Sequence, residues 1–128
     1  MGFITKSVSA DDKQNSETTV IASGASLNGN FDVTSILHIH GTLNGTLKST
    51  NTVIICKTGK VIGDLFAKRV IINGIFEGNI DCESIEILEG GSVRGVLVYD
   101  SLAIEQKAIF EGQSIKKRVQ KEVELKEE

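Results

Sequence analysis

Residues 41–47 read G-T-L-N-G-T-L: a small residue, then an apolar residue on each side of a second glycine. The chain holds five further copies of this pattern, with glycine or alanine in the first place: A-S-L-N-G-N-F (25–31), G-K-V-I-G-D-L (59–65), G-I-F-E-G-N-I (74–80), G-S-V-R-G-V-L (91–97) and A-I-F-E-G-Q-S (108–114). Only Ser114 departs from the expected apolar residues. The middle of the chain is therefore one unit repeated six times.

The spacing of this unit indicates how it folds. Its second glycines are Gly29, Gly45, Gly63, Gly78, Gly95 and Gly112, separated by 16, 18, 15, 17 and 17 residues. The positions two before, two after and eight before these glycines are apolar at 17 of 18 sites, whereas an apolar content of 40% would give about seven. A period near 17 residues is typical of a solenoid, in which each unit is too short to bury its own core and packs on the next.

The composition favours strands as the walls of this solenoid. The chain has 13 glycines, no proline and 5% aromatic residues, and its apolar runs are rich in valine and isoleucine. We predict an all-β fold, a right-handed parallel β-helix of triangular cross-section, with strands of about five residues and about six coils. The irregular spacing argues against the strict hexapeptide repeat of left-handed helices. Each recurring glycine either turns a corner at positive φ or lets two walls pass closely, so a larger side chain should clash there.

Three regions differ in composition. Residues 20–115 hold the repeats and are predicted to form the β-helix domain. Residues 1–19 are mostly polar and residues 116–128 are mostly charged. Both are predicted to be disordered tails, because neither can bury enough apolar surface to offset the entropy lost on ordering.

Charge, cysteine content and hydropathy exclude several classes of protein. A formal net charge of −3 argues against a nucleic-acid binder. Two cysteines cannot form a disulfide framework and favour the reducing cytosol. No apolar run is long enough for a membrane span, and no signal peptide opens the chain. Lys116, Lys117, Arg118 and Lys121 form a basic cluster that could touch anionic lipid or RNA, but glutamates follow at once, which favours a solvated zwitterionic tail or a short helix.

No set of residues in the sequence amounts to a catalytic, cofactor or metal site. His38 and His40 alternate along one strand and face the same side, as metal ligands can, but the chain has no third histidine. Exposed wall positions are therefore the favoured interpretation. Cys56 should point outward and Cys82 inward, each as a filler residue with no histidine nearby in sequence. No phosphate-binding glycine loop occurs, so no nucleotide is expected.

The two ends of the predicted solenoid are candidate interfaces. Ile21, Leu27 and Phe31 lie in the first coil, Ile104 and Phe110 lie in the last, and no charged residue replaces a core position there. An uncapped solenoid exposes unpaired strand edges and apolar side chains at both ends. We therefore predict a homopolymer in which the terminal coils of different copies meet.

The repeated pattern, the short chain and the polar tails resemble the bactofilins, most of all those of curved or helical bacteria. The resemblance covers about residues 1–115. It implies a non-enzymatic cytoskeletal scaffold that polymerises end to end without nucleotide or other cofactor. It also implies cytoplasmic filaments at the inner face of the membrane that support cell shape by organising cell-wall peptidases or other shape-complex proteins.

The N-terminus carries a short apolar tip, Phe3 and Ile4, with Lys6 behind it. Bactofilins often carry a membrane-targeting tip of this kind, so the resemblance implies weak membrane binding by these three residues. Incidental apolar residues at a frayed terminus would explain the same sequence equally well. Position six holds lysine rather than serine or threonine, so N-myristoylation is not expected.

Two other functions are compatible with the sequence. A β-helix acyltransferase would need a regular hexapeptide repeat and a catalytic histidine in a cleft between subunits, and the irregular spacing disfavours it. A monomeric adaptor would use the rod as a spacer and bind its partners through the tails. Assembly of a chain without tails would distinguish the adaptor from a scaffold.

Overall fold

Each repeat folds into a short strand, a tight turn and a long strand. The computed structural model describes residues 18–117, which hold twelve strands. The short strands are β1 (Thr18–Ile21), β3 (Ile36–Ile39), β5 (Thr52–Ile55), β7 (Arg69–Ile72), β9 (Ser84–Ile87) and β11 (Ser101–Ile104). The long strands are β2 (Ser26–Val33), β4 (Thr42–Ser49), β6 (Lys60–Phe66), β8 (Ile75–Asp81), β10 (Ser92–Tyr99) and β12 (Ile109–Lys116).

The strands stack into two parallel sheets that run the length of the molecule. The short strands form one six-stranded sheet in the order β1-β3-β5-β7-β9-β11, and the long strands form the other in the order β2-β4-β6-β8-β10-β12. Every strand pairs with its counterpart in the adjacent coil, which confirms the predicted parallel solenoid of six coils. The predicted strand lengths were wrong: each coil has strands of four and of seven or eight residues, because the long strand continues through the glycine.

The glycine column stays in register through all six coils. Gly63 pairs with Gly45 on one side and with Gly78 on the other. At Gly63, φ is +133° and an added Cβ would lie 1.9 Å from the carbonyl oxygen of Gly45. Glycine is therefore required at this position for both of the proposed reasons, the positive φ and the close approach of the neighbouring coil. The position lies within a strand and not at a corner.

One predicted core column was assigned incorrectly. Counting eight residues back from each glycine places Ile21 beside Leu37, but in the structure Ile21 pairs with Ile39. Leu37 instead pairs with Val53, which lies two residues before Ile55, the residue found by counting eight back from Gly63. The count from the glycine fails to give the pairing because the turns between short and long strands differ in length. The inward direction of these side chains is still predicted correctly, because side chains alternate between the two faces of a strand with a period of two.

The core between the sheets is almost entirely aliphatic. In the inner coils, side chains such as Leu47, Val61 and Ile72 are fully buried, and no polar or charged residue among 18–117 is buried with them. In the fourth and fifth coils the residue four places after the glycine is also inward, and Cys82 and Tyr99 are buried there. The sequence predicts this direction for Cys82, and the same count of two residues beyond the last apolar column would have extended the prediction to Tyr99.

The ends of the solenoid extend slightly beyond the predicted domain. Thr18 and Thr19 already belong to β1, because they pair with Ile36 and Leu37 of the second coil. At the other end Lys116 is the last residue of β12 and pairs with Tyr99. Lys117 follows β12 in a turn, and the rest of the predicted tails, residues 1–17 and 118–128, lies outside the described residues. No helix among residues 18–117 has the length and hydropathy needed to cross a membrane.

Candidate functional site

The two ends of the solenoid expose strand edges. Strands β1 and β2 stand at the N-terminal end, and β11 and β12 stand at the C-terminal end. Within residues 18–117, each of these four strands pairs on one side only. Their outer edges therefore present rows of backbone N–H and C=O groups that a strand of another copy could pair with.

At the N-terminal end, the predicted interface residues sit over the core without a covering coil. Leu27 and Phe31 are half-buried, whereas Leu43 and Leu47, their partners in the next coil, are 1% and 0% exposed. Ile21 is more enclosed, at 8% exposure. The side chains are chemically alike across the two coils, so the difference in burial comes from their position at the end.

The C-terminal end is more open. Ile104 is 43% exposed, whereas Ile87, its partner in the preceding coil, is fully buried. Phe110 is half-buried above the fully buried Val93. Leu102, which the sequence prediction did not include, is likewise half-buried at the exposed end of the core. Five of the predicted residues thus lie on two separate apolar surfaces, the N-terminal end and the C-terminal end.

Near the C-terminal end, the basic cluster is partly neutralised. The ammonium of Lys117 lies 2.7 Å from a carboxylate oxygen of Asp81, and its backbone N–H donates to the carbonyl of Tyr99. The hydrogen bond to Asp81 raises the pKa of Lys117. Lys117 is therefore held against the solenoid wall, which weakens the case for a free basic patch. Arg118 and Lys121 lie outside the described residues.

The two cysteines have different environments, as the sequence predicts. Cys82 is 2% exposed in the core, and burial raises the pKa of its thiol to about 12, so it is protonated and inert at neutral pH. Cys56 is half-buried on the outer wall, where burial raises the pKa of its thiol less. The structure places Cys56 beside His38 and His40, which are also half-buried.

The fold and its ends define a class of protein: a parallel β-solenoid with two open apolar ends, whose geometry suits the stacking of one copy on another. Residues 19–115 match the model of a family described as "Bactofilin: Polymer-forming cytoskeletal", and the chain belongs to this family. Bactofilins are structural filament proteins. The chain is therefore a non-enzymatic protein of a cytoskeletal family, and the acyltransferase-like alternative is wrong.

The chain is also similar to two individual bactofilins. It is 28% identical over 99 residues to the bactofilin BacP of Myxococcus xanthus (strain DK1622), a match that covers 77% of this chain and 41% of BacP. The structure is similar to that of a Thermus thermophilus bactofilin solved by cryo-electron microscopy in double helical filaments, with a TM-score of 0.74 and 22% identity. This match covers 77% of the present chain and 98% of the other, and it shows that the fold is shared.

Proposed function

We propose that this chain polymerises end to end through its terminal coils, without nucleotide, into cytoplasmic filaments that act as a scaffold at the inner face of the membrane. The observation that carries the proposal is the contrast in burial between equivalent positions. Ile104 is 43% exposed in the last coil, and Ile87 is fully buried in the coil before it. A second copy stacked on the end would bury Ile104 as the sixth coil buries Ile87.

Several contributions would favour such a contact. Fully burying a large aliphatic or aromatic side chain is worth about 1.5–3 kcal/mol, and each end presents more than one. The edge strands would gain hydrogen-bonding partners for their free backbone groups. The phosphate-binding glycine loop is absent from the sequence, which supports assembly driven by these contacts without nucleotide.

Electron microscopy of the purified full chain tests the proposal. Long filaments should form in buffer free of nucleotide, and adding ATP or GTP should leave their number and length unchanged. A variant reduced to residues 18–117 should still assemble. Purely monomeric protein at high concentration would refute end-to-end polymerisation, and loss of assembly in the shortened variant would favour the adaptor whose tails bind partners.

Membrane attachment is a finer proposal that rests on the N-terminal tip. Phe3, Ile4 and Lys6 lie outside the described residues, so the proposal is supported by their sequence and by the family resemblance. Two inserted apolar side chains supply at most ~3–6 kcal/mol, which makes attachment of a single copy marginal. A filament that presents many tips would bind a membrane much more strongly through avidity.

Liposome co-sedimentation measures this effect. Polymerised wild-type chain should pellet with anionic vesicles, and a Phe3→Ser variant that still forms filaments should pellet much less. A variant that cannot polymerise but retains Phe3 should also bind weakly, because it loses avidity. Equal pelleting of wild-type and Phe3→Ser filaments would show that the tip is not the anchor.

A role in cell shape, through organisation of cell-wall peptidases or shape-complex proteins, is proposed from the family resemblance. Deleting the chain in its own cell should change cell curvature or width, and a variant unable to polymerise should fail to restore it. Restoration of normal shape by such a variant would show that the filament is not required for this role.

A further inference from the structure

A cluster of three potential metal ligands lies on the outer face of the short-strand sheet, away from both ends. His38 is the outward residue between the buried Leu37 and Ile39 of β3. His40 follows β3 directly, and Cys56 follows β5 directly, one coil further along. Their imidazole nitrogens and thiol sulfur all lie within 4.8 Å of one another.

The backbone that carries these side chains is fixed by the ladder between coils. The N–H of His40 donates to the carbonyl of Ile21 at 2.8 Å, and the N–H of Cys56 donates to the carbonyl of Ile39 at 2.9 Å. The hydroxyl of Thr58 donates to the carbonyl of His40 at 2.8 Å. The ligands are therefore held in adjacent coils of a rigid wall, and only their side chains need to rotate to change the distances between them.

The distances suit a tetrahedral ion. Zinc bonds to imidazole nitrogen at about 2.0–2.1 Å and to thiolate sulfur at about 2.3 Å, so two ligand atoms of one tetrahedral site lie about 3.3–3.6 Å apart. Side-chain rotations that move the ligand atoms by about 1 Å would bring the three of them to this spacing. All three residues are half-buried, so an ion could enter from solvent and still be partly shielded from it.

The residues on both sides of His38 across the sheet are apolar. His38 pairs in register with Val20 of the first coil and with Ile54 of the third. Lys57 follows Cys56 in the exposed turn, where solvent and salt screen its charge. Reduced hydration on the apolar side strengthens the attraction between a cation and a thiolate.

We propose that His38, His40 and Cys56 form a zinc site on the side wall of the solenoid, with water as the fourth ligand. Imidazole and thiolate are the ligands that Zn²⁺ prefers, and two histidines with one cysteine leave an open tetrahedral position. Binding forms a zinc–sulfur bond, and the thiol proton is released to solvent. The site links the second coil to the third and does not use the polymerising ends.

Cobalt spectroscopy on the full chain, free of any histidine tag, tests this site. Co²⁺ should bind one ion per chain and show the intense visible bands of tetrahedral cobalt together with a thiolate-to-cobalt charge-transfer band. Zn²⁺ should displace it. Cys56→Ser should abolish the charge-transfer band. His38→Gln and His40→Gln should each weaken cobalt binding more than about tenfold, because removing even a residue that only hydrogen-bonds to a metal ligand typically costs that much affinity.

Cys82→Ala is the matched control, because Cys82 is the only other thiol in the chain. This variant should keep the charge-transfer band and the cobalt stoichiometry. Circular dichroism should show that all four variants stay folded, as expected for Cys56, His38 and His40 on the outer wall. The proposal is overturned if the wild-type chain gives no tetrahedral cobalt spectrum, if Cys56→Ser retains the charge-transfer band, or if folded Cys82→Ala loses it.

Discussion

A Phe110→Arg variant should fold normally and yet lose the ability to form filaments. Phe110 pairs with Val93 on its inner side, and within residues 18–117 no strand covers its outer side. A guanidinium there would reach solvent in the free chain but would be buried without a partner in a stacked joint, at a cost of several kcal/mol. If like ends meet, the intact N-terminal end would still pair through a two-fold contact, and assembly would stop at dimers.

Circular dichroism, size-exclusion chromatography and electron microscopy together measure this outcome. Phe66→Arg is the matched control, because Phe66 is 41% exposed on the wall of a middle coil and undergoes the same change. The control should polymerise like the wild type. Long filaments of folded Phe110→Arg would show that the C-terminal coil is not the joint, and loss of filaments in both variants would show that the effect is not specific to the end.

The competing explanation for an apolar residue at the open end is that the C-terminal tail folds back and covers Phe110. Two apolar residues after Phe110 would be available for such a cover, Ile115 and Val119. Ile115 lies within β12 and is 47% exposed, so it does not cover Phe110, and Val119 lies outside the described residues. A chain ending at residue 117 separates the two explanations: it should polymerise at least as well as the full chain if Phe110 is an interface residue, and it should aggregate without order if the tail is a cover.

Replacing Gly63 with valine should lower the free energy of unfolding by a few kcal/mol, through positive-φ strain and overpacking of about 1–3 kcal/mol each. An added Cβ would lie 1.9 Å from the carbonyl oxygen of Gly45, and a backbone atom in a strand ladder cannot move aside cheaply. Gly78→Val should behave alike, since its Cβ would lie 1.9 Å from the carbonyl oxygen of Gly63. Thermal melts should show a fall in Tm of more than about 10 °C.

Gly24 and Gly29, both in the first coil, provide controls for Gly63. Alanine is introduced at each of the three sites so that the added side chain is the same. Gly24 has open space around an added Cβ, so Gly24→Ala should leave the Tm nearly unchanged. Gly29 has a φ of +138° but meets only the ring of Phe31 at 3.9 Å, so Gly29→Ala should show backbone strain without the steric clash. Gly63→Ala should destabilise more than either. Equal Tm values for the three variants would contradict the assigned role of the glycine column.

The repeat itself was enough to predict the stacking of coils and most of the core. An apolar residue on each side of Gly63 and its equivalents, repeated near every 17 residues, leaves a parallel solenoid as the way to bury those side chains. The same reasoning located the two ends and the apolar residues, such as Phe110, that lie there. These features depend on local spacing and on the alternation of side chains along a strand, both of which can be read from the sequence.

Tertiary structure alone decided which residues become neighbours across coils and how exposed each is. Turns of unequal length shift the register, so Ile21 meets Ile39 instead of Leu37. Cys56 lies next to His40, 16 residues away in the chain, because that number of residues closes one coil at this point. Pairing across coils depends on where each turn closes the backbone ladder, a property of the folded chain that no single repeat specifies.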